Sequence, residues 1–341
     1  MDRLRGVWQS PVQLSMALGL LFLLPFLLTL RWQILLRALE HRLPFRGLLS
    51  MTFMVVFLDT IMPGGAADII RGYYLDRNFR LDHRARALST VVVDRFLGVM
   101  GLVLAALVAL ALKSHSALGG STLQSLEVGT TFVGTAFLLV FLFLGSRKNI
   151  GRGALERLCS RVHILKPLLG IYDAFRGYAD RTPVLLKALS LSLLGNVFTI
   201  VSFLLLGAAV GEAHLRIADY FCLVPVGLFV AQVPISPGGI GIGHLGFYSL
   251  FLMAGSRLGA EIFSLFIVVR FVSSIPGFFC FLLTRQQTRS ECVTNIETTD
   301  SKSSLVRGFA PLAAQTVTDT VQPVPSGPAR SKILASDFEA R

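Results

Sequence analysis

Two short stretches decide how this chain is built: Ile61-Met62-Pro63-Gly64-Gly65 and Pro234-Ile235-Ser236-Pro237-Gly238-Gly239-Ile240-Gly241. Ile61 to Gly65 aligns with Ile235 to Gly239 at an offset of 174 residues, and the same offset pairs Gly72 with Gly246 and Tyr74 with Tyr248. Each motif follows a short apolar segment. Proline ends a helix, and paired glycines reach backbone conformations closed to other residues, so each motif reads as the break in a discontinuous membrane helix. Chance agreement at six positions in a glycine-rich membrane protein is the competing account.

The surroundings of both motifs are those of a membrane protein. Of the 341 residues 53% are apolar and 15% charged, 26 are phenylalanine, and the mean hydropathy is +0.66. A soluble domain carries about 25% charge, so this balance excludes an ordinary water-soluble enzyme. Eight apolar segments stand out, at 12–30, 47–62, 88–112, 129–145, 188–210, 217–234, 240–255 and 261–284. At about 1.5 Å per residue across about 30 Å of hydrocarbon, 88–112, 188–210 and 261–284 span comfortably, whereas 47–62 and 240–255 are short. The expected fold is therefore all-α: a polytopic membrane protein whose two Pro-Gly-Gly elements are broken or re-entrant.

Charge sets the expected orientation. Residues 285–341 hold seven Lys/Arg and six Asp/Glu, so +11 of the net +12 lies in the first 284 positions. The cations gather at 31–46, 64–87 and 146–187, while 113–128 has only Lys113 and 211–216 only Arg216. By the positive-inside rule the three basic stretches face the cytoplasm. Segment 47–62 then cannot cross once, and it re-enters or pairs with a return through 66–75. The second pair, 217–234 with 240–255, lies between loops expected outside. Broken elements entering from opposite sides would form an inverted repeat, with a substrate site near the midplane.

Apolar residues at helical spacing among arginines mark 150–182 as a helix, either lying in the cytoplasmic interface or packed as a linker. Residues 285–341, rich in Ser, Thr, Gln, Pro and mixed charge, read as a disordered cytoplasmic tail after an integral membrane domain over 1–284. The basic excess has no stripe with interleaved aromatics on a soluble module, which argues against nucleic acid as a partner. The cysteines (Cys159, Cys222, Cys280, Cys292) and the six histidines show no metal-ligand spacing, and no Walker A motif is present. The literal GxGxxG match at Gly241–Gly246 has no βαβ context. Neither a cofactor nor a bound metal is expected.

Several charges fall inside apolar segments. Arg270 sits in the middle of 261–284, where an isolated arginine costs about 2.5–3.5 kcal/mol on insertion scales. It is either an anion site for a lipid phosphate or a structural ion pair with Asp94 or Asp59. Arg95 either takes part in the site or snorkels to the interface. Asp59 and Asp68 flank the first break, where carboxylates could meet a cationic headgroup or carry a coupling proton, and Arg71 is a site residue or a cytoplasmic-side anchor.

These residues also resemble a family. Pro63-Gly64-Gly65 with Asp68 and Arg71, Asp94-Arg95 followed by Gly98, the run Pro234 to Gly241, and Arg270 before Pro276-Gly277 are similar to the lysylphosphatidylglycerol synthase/flippase transmembrane family, the MprF-type membrane region, over roughly residues 12–284. The resemblance implies a polytopic inner-membrane protein that moves an aminoacylated phospholipid, or another lipid-linked headgroup, between leaflets. Where relatives commonly carry an Arg-Glu pair after the glycine run, this chain has Gly243-His244, which leaves the headgroup open. The aminoacyl-transferase domain of full-length synthases has no room here, so lipid synthesis is not implied. The candidate substrate contacts are Asp59, Pro63, Gly64, Gly65, Asp68, Arg71, Asp94, Arg95, Pro237, Gly238, Gly239, Gly241, His244 and Arg270, with no catalytic residue among them. The expected partners are membrane lipids (anionic or aminoacylated phospholipid, or a lipid-linked glycan), with a separate lipid synthase and a homo-oligomer as further expectations. The alternatives to a flippase are a membrane enzyme acting on a polyprenyl-phosphate-linked substrate, against which the lack of a DxD cluster argues, and a scaffold for a separate synthase.

Overall fold

A computed structural model describes residues 11–62, 66–79, 84–112, 121–144, 172–178, 181–232 and 239–283. Pro63, Gly64, Gly65, Pro237 and Gly238, most of the amphipathic stretch 150–182 and the tail 285–341 lie outside the described residues. Among the described residues nine helices carry the fold: α1 (Pro11–Ala38), α2 (Phe45–Ile61), α3 (Ala66–Phe79), α4 (Arg84–Leu112), α5 (Ser121–Leu144), α6 (Thr182–Val210), α7 (Ile217–Ala231), α8 (Ile242–Met253) and α9 (Gly259–Leu283), with a short helical turn at 172–176. Among the described residues there is no strand. Four of these described helices, α1, α4, α6 and α9, contain stretches long and apolar enough to cross a membrane. The protein is a polytopic, all-helical membrane protein.

The helix ends follow from local chemistry. Pro44, in an extended conformation, opens α2, and α2 stops at Met62 (φ −93°, ψ 154°), the residue that Pro63 forces out of helical backbone. α6 begins with proline in its first turn and ends on Gly211 at φ 87°, a left-handed terminus that suits glycine. α1 runs eight residues past the expected 12–30 segment, because Arg31, Trp32 and Gln33 are buried within it rather than lying in a loop. α3 was legible only as a return through 66–75. Its Asp68, Arg71, Asp76 and Arg77 mask it from hydropathy.

Contacts along the helices give their directions. Ala17 and Leu21 at the start of α1 share a core with Phe203 and Leu206 near the end of α6. At the other end, Leu35 and Ala38 pack with Leu185 and Ala188, and Glu40 pairs with Arg181 at 3.5 Å. α1 and α6 are thus antiparallel. α4 runs with α6, since Gly101 abuts Ser192 and Asn196, and α5 returns against it, with Gly134 on Leu107 and Phe141 stacked on Phe96 at 6.4 Å.

Between these spans sit two helical hairpins. Leu48 and Met51 of α2 cluster with Leu75 and Tyr74 of α3, and Met54 and Leu58 with Ala67 and Ile70, so the two helices lie side by side with their break at one tip. In the second hairpin Tyr220 meets Phe251 at 5.7 Å, Gly227 abuts Phe247 and Gly246 abuts Val230. At its open end Ser256 Oγ donates to Glu212. The first hairpin opens beside the end of α1, the second directly after the end of α6. The 29-residue α6 is about 43 Å long, so the hairpins enter from opposite ends of the bundle. α9 touches both: Phe263 stacks on Phe247 at 4.7 Å, and Gly277 lies so close to the Phe53 carbonyl that no Cβ would fit. The repeat's offset does not extend to matching neighbours, since Gly72 faces Leu88 of α4 whereas Gly246 faces its own hairpin partner.

Candidate functional site

Residues flanking both hairpin tips line one cavity of about 300 Å³. Asp59, Thr60, Asp68 and Arg71 come from the first, Ala231, Gln232 and Gly239 from the second, and α1, α4, α6 and α9 close the sides. Part of the wall is apolar, with Leu21, Leu24, Leu28, Leu102 and Phe266; the rest is charged.

The charged part has two layers. In the deeper one Asp94 stands between two arginines: Arg31 Nε donates to Oδ1 over 2.7 Å and Arg71 Nη1 to Oδ2 over 2.8 Å. Side-chain exposures of 6%, 7% and 3% place all three out of water. Arg31 Nη1 also donates to Ser192 Oγ at 2.8 Å, and the Arg71 guanidinium lies 3.7 Å above the Trp32 ring. Trp32 in turn donates its indole N–H to Thr90.

The outer layer ties the first tip to two spans. Arg270 Nη2 donates to Asp59 Oδ2 at 2.7 Å. Arg95 Nε lies 3.5 Å from Asp68 Oδ2, and its Nη1 lies 4.0 Å from Asp59 Oδ1. Of the two partners expected for Arg270, the structure selects Asp59, and Asp94 is claimed by Arg31 and Arg71. Arg95 points into the cavity layer rather than only to the interface. Among the described residues that line the cavity, four arginines face three aspartates, an excess of one positive charge.

Asp59, Asp68, Arg71, Asp94, Arg95, Gly239 and Arg270 are brought together. Gly239 (φ 74°) and Gly241 (φ 94°) turn the chain through left-handed backbone into α8. His244 is placed elsewhere. Its Nδ1 accepts from the Gly241 N–H (3.3 Å), and its Nε2 lies 2.9 Å from Ser264 Oγ, whose own hydroxyl donates to the Ala260 carbonyl. The bond from the Gly241 N–H makes His244 a cap for α8. Arg31, Ser192, Asn196 and Gln232 were missed by the sequence reading. Arg31 was counted among the loop cations of 31–46, and the signal that places it otherwise is the uninterrupted helical run Trp32, Leu35, Leu36 beyond it.

These features define a class: an integral membrane protein with a charged cavity between two helical hairpins. The family model for the lysylphosphatidylglycerol synthase TM region matches residues 4–280, and the chain belongs to that family. It is also similar to a UPF0104 membrane protein of Methanothermobacter thermautotrophicus, at 27% identity over 251 residues, 68% of this chain and 72% of that one.

Proposed function

We propose that this protein moves a phospholipid, aminoacylated or otherwise, or a lipid-linked headgroup, between the leaflets of the cell's plasma membrane, and that it does so as a transporter rather than an enzyme. One observation carries the reading: two helical hairpins that enter from opposite ends line one cavity with residues next to their tips, and the described residues around it hold one excess positive charge. Inverted elements with breaks at mid-depth are how secondary transporters build a site reachable in turn from either side. The cavity's volume lies at the low end of the ~300–1,000 Å³ of small-molecule sites, room for a headgroup but not for acyl chains. The headgroup would then pass between the tips while the chains stay in hydrocarbon beside the apolar wall. In this reading the arginine-rich end of the bundle and the tail from Arg285 face the cytoplasm.

The test is purified protein in liposomes carrying fluorescent phosphatidylglycerol, an aminoacylated phosphatidylglycerol or a neutral glycolipid, with the outer leaflet quenched chemically. Headgroup-dependent loss of protected signal supports transport. Equal rates in protein-free liposomes for every lipid would overturn it, and appearance of a chemically altered lipid would replace it with the enzyme reading.

A further inference from the structure

The excess charge of the cavity is not spread evenly. In the outer layer Asp59 and Asp68 face Arg95 and Arg270, two charges against two. The deeper layer sets one carboxylate, Asp94, against two guanidiniums. Both oxygens of Asp94 are already engaged, and the whole surplus sits on a triad that is more than nine-tenths buried. An uncompensated buried charge is costly in a low-dielectric interior, so this layer is built for an anion.

The vacant donors identify where. Arg71 uses only Nη1 toward Asp94, while its Nε and Nη2 are buried without a hydrogen-bond partner. Nε–H and the adjacent Nη2–H form the side edge of the guanidinium, two parallel donors whose spacing matches two oxygens of a phosphate. Trp32 stacks on the plane and Asp94 fixes the rotation of the Nη1 end, so the fork is held in one orientation on a residue that lines the cavity. We infer that the Arg71 Nε/Nη2 edge is the binding locus for a phosphate oxyanion, with Arg31 and Asp94 as positioning residues. Arg270, spent on Asp59, belongs to the ring around it. The donor chemistry is the same for a lipid phosphodiester and for free phosphate. The lipid source rests on the transport reading above, whereas the site itself does not.

The experiment reads Trp32. Of the two tryptophans, Trp8 is replaced (Trp8→Phe) in the full-length chain in detergent, so that emission reports the ring under Arg71. The probes are dihexanoylphosphatidylglycerol, inorganic phosphate and phosphate-free dihexanoylglycerol. A saturable emission change with the first and none with the third is expected, and Arg71→Lys, which keeps the charge and Asp94 but loses the fork, should weaken it at least tenfold. Wild-type affinity in Arg71→Lys, an equal response to dihexanoylglycerol, or no response of the unsubstituted site to either phosphate compound overturns the inference. Should Arg71→Lys fail to fold, the wild-type titrations decide alone. A response to inorganic phosphate without one to the lipid keeps the site and assigns it to free phosphate. Binding in a protein that moves no lipid in liposomes defeats the transport reading only; lipid movement with Arg71→Lys binding unchanged defeats the site only.

Discussion

Arg270 Nη2 donates to Asp59 Oδ2 over 2.7 Å, which joins the middle of α9 to the tip of the first hairpin. α9 is also the span that packs on both hairpins, so this contact couples the tip to the span that connects them. The pair uses one nitrogen, and a lysine can supply that. Arg270→Ala should lower lipid translocation by about tenfold or more, equivalent to about 1.4 kcal/mol, while Arg270→Lys stays within about threefold of wild type. Transport rates in liposomes at equal protein content check this, and full activity of Arg270→Ala would reduce the pair to a structural brace.

Asp94 is a different kind of residue. Removing it strands two buried guanidiniums, so Asp94→Ala should cost about 3–5 kcal/mol of stability. Arg95→Ala breaks a pair that is 44% exposed on the arginine side and should cost about 1 kcal/mol or less. Thermal unfolding of both variants in the same detergent measures the contrast, and similar midpoints would contradict the two-layer description.

Gly239 stands at φ 74°, and a Cβ there would meet the Ala231 carbonyl at 2.8 Å. Gly239→Ala should destabilise by about 1–2 kcal/mol for the left-handed backbone alone, and more for the clash. The same measurement on Gly19→Ala, where nothing lies within 4 Å, supplies the control and should change little.

Orientation is open to labelling. Single cysteines at Arg42 and Arg285 should be shielded from an impermeant thiol reagent in intact cells, and cysteines at Ala213 and Arg257 should react, in a background lacking the native cysteines. The Lys/Arg excess predicts this. Reaction at position 42 from outside would reverse the assignment.

What could be read without coordinates was set by local chemistry. Pro63 and the glycines after Pro237 announce breaks whatever surrounds them, and the sparse charge of 88–112 and 261–284 declares spans. The pairing of the charges was less accessible. Asp94 lies 63 residues from Arg31 and 23 from Arg71, and Asp59 lies 211 from Arg270, separations at which only the packing of α1, α4 and α9 decides who meets whom. Arg31 was hidden because an arginine after an apolar run looks like the edge of a membrane whether or not the helix continues. His244 looked like a substrate contact since it stands in the glycine run, and its capping bond to Gly241 depends on a backbone angle that composition does not show.

The Ser256–Glu212 bond and the Tyr220–Phe251 contact fasten the second hairpin at its base, and the stacked rings of Phe203, Phe247 and Phe263 grip it on both sides. The hairpin is therefore a cantilever, clamped at one end of the bundle and braced along α8 by the rings of α6 and α9. Its arm, the 12-residue α8, is about 18 Å long, so a tilt of about 10° at the clamp would carry the tip about 3 Å across the cavity.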